Sequence, residues 1–363
     1  MNSTANPNPA NGGGPGNGVL GPETIRQFRP DFGLRSRHAQ SLLSSSPLRR
    51  RVVEQWSRPV RAVEQDWVLD GGDGIRLEGF HSAQPESVTE STNYRGLAVL
   101  LHGWEGSVNS NYILSNAARL YASGFDVFRL NFRDHGDTHH LNPGIFHSCR
   151  LEEVVNALAE LQHRTGDAPW CLAGYSLGGN FALRVALNAG RAGLSINQVV
   201  SVCPVIDPAK AMVAMEEGIR FYERYFERKW SRSLRIKKES FPELYGEDDW
   251  HEIRGLRART HYLATRYAGF DDAMTYFDGY SIAHNRLAPL KVPATVLTSA
   301  DDPVVPVSDF EQLPVIPQLD VQVTAYGGHC GFLKNWKMES LAEDVILDRF
   351  IRATSPSRPG PTE

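Results

Sequence analysis

Gly174-Tyr-Ser176-Leu-Gly178 sets a serine hydroxyl between two glycines. The apolar run Trp170-Cys-Leu-Ala173 precedes it, and the pattern of Leu177 to Asn188 predicts a helix after it. A strand that must become a helix within a few residues needs flanking positions without a Cβ, and such a turn holds the residue between them with its Oγ pointing outward. The start of the helix leaves backbone N–H groups unpaired beside that oxygen. Together these features suit nucleophilic attack on a carbonyl carbon, with Ser176 as the candidate nucleophile.

A serine nucleophile needs a base, and the base needs a group to fix its tautomer. Two late segments offer them. Thr298-Ser-Ala-Asp301-Asp302-Pro-Val-Val-Pro306 follows a predicted strand, and Gly327-Gly-His329-Cys-Gly331 follows the next one, so both fall on the rim that carries Ser176. His329, flanked by glycines in a loop, is the candidate base. Asp302 is the candidate carboxylate because it immediately precedes Pro303 and the Val-Val-Pro turn. Asp301 is the alternative, and one of the two is expected to serve only as a turn carboxylate.

The oxygen of a tetrahedral intermediate needs two preorganised N–H donors. His102-Gly103-Trp104-Glu105-Gly106 lies directly after the predicted strand Gly96 to Leu101, and its glycines let a backbone amide approach closely. The backbone N–H groups of Trp104 and Leu177 are the candidate donors. The His102 side chain is read as a structural hydrogen-bonding group.

Metal chemistry is the competing possibility. Arg133-Asp134-His135-Gly136-Asp137-Thr-His139-His140 gathers three histidines and two aspartates, yet its spacing matches no metal motif and no second ligand cluster accompanies it. A rigid polar loop near the pocket accounts for it better. The four cysteines, Cys149, Cys171, Cys203 and Cys330, lie far apart with no C-x-x-C pair, so neither a zinc knuckle nor a disulfide scaffold is expected. Cys330 beside His329 is expected to be packed, since adjacent side chains ordinarily diverge. No metal and no cofactor is called for.

These groups need elements to hold them. Asp66 to Asp70, a Gly-Gly-Asp-Gly turn and Ile75 to Phe80 read as a hairpin. Short apolar runs then alternate with helical segments: strands at 96–101, 125–132, 170–173 and 198–202, helices at 111–122, 151–164 and 177–188. That alternation predicts a mostly parallel sheet with helices on both faces. It stops near Asp207 and resumes at Val292 to Thr298, with a last strand over 319–326 and a last helix over 338–353. The expected organisation is a disordered tail (1–21), an N-terminal extension (22–62), a first part of the core (63–206), an inserted helical cap (207–290), a second part of the core (291–353) and a flexible end (354–363). Within the cap, Arg220, Arg224, Arg228 and Arg232 repeat every four residues, opposite Tyr222, Phe226, Trp230 and Leu234. That is read first as an aromatic packing face with a solvated arginine face, and second as a helix touching a lipid surface.

Bulk composition agrees with an enzyme. A chain of 363 residues, 41% hydrophobic and 22% charged, can bury a large core. A formal net charge of -4 argues against a nucleic-acid partner. No stretch approaches the roughly 20 apolar residues of a membrane span, and Met1 to Gly21 holds no apolar signal core, so a cytoplasmic location is expected, with peripheral membrane contact through the cap helix as the variant.

Taken together, the chain resembles the α/β-hydrolase superfamily and, within it, the YheT-like esterases and lipases. The resemblance runs from about Phe28 to Ile351 and rests on Phe28-Arg-Pro with Arg37-His-Ala-Gln, Leu101-His-Gly-Trp-Glu-Gly-Ser with Asn109-Ser, Asn131-Phe-Arg-Asp-His-Gly-Asp and Phe146-His-Ser. It rests further on Gly174-Tyr-Ser-Leu-Gly-Gly-Asn180, Ala300-Asp-Asp-Pro303 and Gly327-Gly-His-Cys-Gly-Phe332. It implies an α/β-hydrolase fold, a Ser176, Asp302 (or Asp301), His329 triad and hydrolysis of carboxylic or acylglycerol esters, with acyl transfer to alcohols in some relatives. The implied partner is a small acyl ester, with no cofactor. The chain departs from that pattern in the Asp134 to His140 loop.

Overall fold

In a computed structural model that describes residues 20–355 apart from 251, eight strands form one sheet. They are β1 (Glu64–Gly72), β2 (Ile75–Ser82), β3 (Gly96–Leu101), β4 (Phe125–Leu130), β5 (Trp170–Tyr175), β6 (Gln198–Val202), β7 (Ala294–Ser299) and β8 (Leu319–Thr324). Their spatial order is β1-β2-β4-β3-β5-β6-β7-β8. The hairpin β1–β2 is antiparallel and β2 meets β4 antiparallel; every later pairing is parallel. Every residue of β3, β5, β6 and β7 is buried. A parallel strand covered on both faces loses its polar side, which is why these runs read as unbroken apolar stretches. Most of the expected tails, 1–19 and 356–363, lie outside the described residues.

Two apolar layers cover the sheet. Leu151–Thr165 and Leu177–Ala192 pack on one face through Val154, Leu158, Phe181 and Val185. Asn111–Ala122 and Leu341–Thr354 pack on the other through Ile113, Leu120, Val345 and Phe350. Two strands end earlier than their patterns imply, β8 at Thr324 and β4 at Leu130. Asn131 N–H still donates to Glu78 O on β2 (2.9 Å), but Phe132 N–H donates to His102 Nε2 (3.2 Å) instead of a strand, so the chain leaves the sheet there.

Between β6 and β7 the chain runs through the helices Pro208–Glu217, Arg220–Ser240, Pro242–Tyr245, Leu256–Tyr267 and Ala273–Tyr280. A small apolar cluster of Leu234, Tyr245, Trp250 and Leu263 holds this segment together and docks it on Ile145. On the Arg220–Ser240 helix, Arg220, Arg224, Arg228 and Arg232 are exposed, Tyr222 and Leu234 are buried, and Phe226 and Trp230 are half-buried. The Trp104 ring stacks on Phe226 (5.3 Å) and meets Trp230 edge-on (5.2 Å), seating the aromatic face over the loop after β3.

The residues before the hairpin also bear on the core. Arg49, 1% exposed, pairs with Glu343, 2% exposed, joining the Pro47–Trp56 helix to Leu341–Thr354. Removing one partner of a buried pair strands the other charge, at about 3–5 kcal/mol. Arg49→Met is therefore expected to lower the unfolding free energy in urea by that amount, and the double change Arg49→Met/Glu343→Leu to recover most of it. A single variant as stable as the wild type would show that the pair contributes little.

Candidate active site

The backbone at Ser176 has φ 54° and ψ -118°. A residue with a Cβ pays strain in that region and keeps it only where its surroundings over-determine it. The surroundings do. A Cβ on Gly174 would lie 2.1 Å from Gly178 O, and one on Gly178 would lie 2.3 Å from His102 O. Both glycines are thus required by the closeness of the strand, the helix and the loop after β3. Ser176 N–H donates to Val202 O (2.8 Å), which ties the turn to the end of β6.

His329 reaches this serine from the loop after β8. Its Nε2 accepts from Ser176 Oγ at 2.9 Å, and its Nδ1–H donates to Asp302, 2.9 Å from Oδ2 and 3.1 Å from Oδ1. Asp302 Oδ1 also accepts from Val304 N–H (2.8 Å) and Val305 N–H (3.0 Å), so its own turn orients it. Asp301 points elsewhere: its Oδ1 accepts Gly328 N–H at 2.8 Å and braces the histidine loop. Burial works against a charged His329 ring, but the carboxylate of Asp302, with Cys330 beside it, outweighs burial and holds the pKa well above the ordinary imidazole value.

Trp104 and Leu177 both line the cavity that opens over Ser176. Leu177 begins the helix, where an N–H has no partner one turn earlier. The loop that carries Trp104 is pinned on both sides: Gly103 N–H donates to Tyr112 Oη (3.0 Å), and Gly106 N–H to Gly103 O (2.9 Å). The same loop carries Glu105, whose carboxyl is pushed by burial up to about 8, with the Lys229 ammonium pulling the other way. Lys229 Nζ donates to Glu105 O (3.1 Å). Neither residue stands out in the sequence, because their meeting depends on how the inserted helix lies over the loop.

His102 is fully buried, with Nδ1–H on Gly103 O (2.8 Å) and Nε2 accepting from Phe132 N–H, and burial lowers its pKa to about 4. It is a neutral brace. The Asp134 to His140 loop is tied down in the same manner: Asp134 takes Lys237 Nζ (2.8 Å) and Phe146 N–H (2.7 Å), and His139 Nε2 meets Ser233 Oγ (2.8 Å). Its carboxylates and imidazoles do not converge. Cys330 is packed in the core as expected, but it does not diverge from His329: with a left-handed backbone at Cys330 (φ 62°), its thiol stays near the ring. Among the described residues, Cys203, His329 and Cys330 bring one ligand-type atom each within 4.8 Å of one another.

The N-terminal extension adds a group that no local signal revealed. Ser41 Oγ accepts from His329 N–H at 2.8 Å, across 288 residues of chain. Gln40 fastens the same loop through Leu333, its Oε1 accepting Leu333 N–H and its Nε2 donating to Leu333 O (3.0 Å). The cavity above has a volume of about 970 Å³, at the upper end of what small-molecule sites occupy. The inserted helices line it with Met212, Met215, Phe226, Trp230, Leu263 and Phe277.

Residues 98–335 match the alpha/beta hydrolase fold family. The chain is 27% identical over 316 residues to YheT, a candidate esterase of Escherichia coli K12, covering 85% of this chain and 87% of that one. It is 22% identical over 298 residues to the human phospholipase ABHD3, covering 78% and 70%. Among solved structures, the esterase Pf2001 of Pyrococcus furiosus superposes with a TM-score of 0.52 at 15% identity, over 80% of this chain and 91% of that one. Matched by the family model across about two-thirds of its length and built on this mostly parallel sheet, the chain belongs to the α/β-hydrolase family.

Proposed function

We propose that this chain is a serine hydrolase of carboxylic esters, working through an acyl-enzyme on Ser176. His329 takes the serine proton as Oγ attacks the ester carbonyl, then returns it to the departing alkoxide, and in the second half it activates the water that frees the acid. Asp302 holds the ring in the required tautomer and stabilises the imidazolium. The N–H groups of Trp104 and Leu177 receive the oxyanion. One observation carries the reading: an unbroken relay from Ser176 Oγ through His329 to Asp302, with links of 2.9 Å, opening into a large cavity. Thioester cleavage and transfer to an alcohol would use the same groups.

A p-nitrophenyl ester series tests the proposal. Turnover is expected for the wild type, with and without EDTA, and not for Ser176→Ala. Activity surviving in that variant would remove the mechanism, and no turnover at any chain length would point to an acyl- or protein-binding module. The series also reports which of short, medium or acylglycerol-like esters fits the cavity.

The raised His329 pKa gives a pH profile. The base works only when neutral, so kcat/KM should fall about tenfold per pH unit below that pKa. Because Asp302 favours the imidazolium, the rising limb is expected above the ordinary imidazole value of about 6.5. A limb below it would contradict the arrangement.

A lipid source for the ester is favoured by the exposed arginines of the Arg220–Ser240 helix and by a phospholipase among the relatives. No helix among the described residues is long and apolar enough to cross a membrane. Changing Arg220, Arg224 and Arg228 to alanine should weaken binding to anionic vesicles by about 1 kcal/mol per residue. Unchanged partitioning would leave that face merely solvated.

A further inference from the structure

The hydrolase mechanism leaves unused the two thiols that meet its histidine. Cys203 follows the last residue of β6 and Cys330 follows His329 in the loop after β8, so two distant segments bring their sulfurs together beside that histidine. One ligand-type atom from each of Cys203, His329 and Cys330 lies within 4.8 Å of the other two. The donors of a tetrahedral zinc ion, with bonds of about 2.0–2.3 Å, stand roughly 3.3–3.8 Å apart. A closure of about 1 Å would therefore bring these three into bonding range.

The backbone keeps the thiols where they are. Cys203 and Cys330 both adopt left-handed conformations, φ 45° and 62°, which side-chain-bearing residues rarely hold. Cys330 N–H donates to Cys203 Sγ at 3.4 Å, and the thiols reach Gly328 O and Val202 O only at 3.8 Å. The Cys330 thiol also hydrogen-bonds the Cys203 thiol and the His329 ring, so an ion bound here would replace weak thiol contacts made chiefly among its own three ligands. Cys203 is fully buried, while Cys330 and His329 both line the large cavity, which gives an ion a way in.

We propose that Cys203, His329 and Cys330 form a binding site for a soft divalent cation of the zinc class, and that filling it switches the hydrolase off. Two thiolates and one imidazole are the donors such an ion selects, and the fourth position faces the cavity, where water completes the tetrahedron. Binding sends the two thiol protons to solvent and places one imidazole lone pair on the metal. If that lone pair is on Nε2, Ser176 loses its proton acceptor; if it is on Nδ1, His329 loses Asp302. The inhibition rests on the role of His329 proposed above, whereas the binding does not.

Two readouts separate these. The reduced protein is titrated with CdCl2, and the thiolate-to-cadmium charge-transfer absorption is followed in the wild type, Ser176→Ala, Cys203→Ser, Cys203→Ala, Cys330→Ser and Cys330→Ala. One equivalent is expected to saturate the band in the wild type and in Ser176→Ala, with affinity lower by about tenfold or more in each cysteine variant. In parallel, ZnCl2 should inhibit p-nitrophenyl ester hydrolysis, reversibly with EDTA, and the inhibition constant should rise about tenfold or more in the cysteine variants, each measured against its own metal-free rate. A band indifferent to either cysteine, or equal zinc inhibition in every variant that folds, would overturn the site. Cadmium held by both thiols in a protein inactive on every ester would leave the site standing and remove the hydrolase reading.

Discussion

Ser176→Ala is expected to lower ester kcat by about 10⁶-fold while leaving the fold intact. The hydroxyl does two things in the structure: it is the atom aimed into the cavity, and it is the donor to His329 Nε2. Alanine removes both. The backbone turn does not depend on the hydroxyl, because Gly174 and Gly178 and the Ser176 N–H bond to Val202 O set it. Thermal unfolding should therefore shift little, and any residual rate should come from the oxyanion donors and the cavity alone. Adding His329→Ala to Ser176→Ala should cost almost nothing further, since groups acting as one unit are not additive. A double variant much slower than the single would mean that the two do not share a step. Loss of activity accompanied by loss of folding would not count in favour, so the unfolding transition is measured on the same samples.

Asp302→Asn carries the second-largest expected effect, about 10⁴-fold in kcat. An amide in place of the carboxylate can present its NH2 to His329 Nδ1. The ring then carries its proton on Nε2, where it can no longer accept from Ser176. The same change removes the strongest influence raising the His329 pKa, so the rising limb of kcat/KM should move to lower pH as the rate falls. Asp301→Asn is the control. Its carboxylate bonds Gly328 N–H and not the ring, and asparagine keeps an acceptor there, so a loss of less than about tenfold is expected. Equal losses at the two positions would mean that the adjacent carboxylates exchange roles in solution.

Much of this arrangement was legible because it is local. The strands 96–101 and 198–202 and the helix 111–122 sit where their periodicity places them, since buried parallel strands and amphipathic helices write their burial directly into residue type. The elbow was legible because steric crowding admits only glycine at 174 and 178. Element ends were less so. The apolar run from Phe125 continues to Phe132, but the strand stops at Leu130: Phe132 N–H donates to the His102 ring instead of a neighbouring strand, a decision made by another part of the chain.

The choice between Asp301 and Asp302 shows the limit most clearly. Both carboxylates satisfy the chain order and both sit after β7, and only the direction in which the turn sends each side chain separates them. By itself, the sequence determined the strand-and-helix alternation, the glycine-flanked serine and the short roster of groups that could serve it. The tertiary structure alone decided which aspartate meets His329, that Ser41 from the N-terminal extension supports it, and that Cys203 and Cys330 lie against it. The physical reason is separation: pattern and turn chemistry act over a few residues, whereas Cys203 and Cys330 are 127 residues apart and Ser41 and His329 are 288 apart. Contacts over such distances are set by the sheet order that brings the strand ends together.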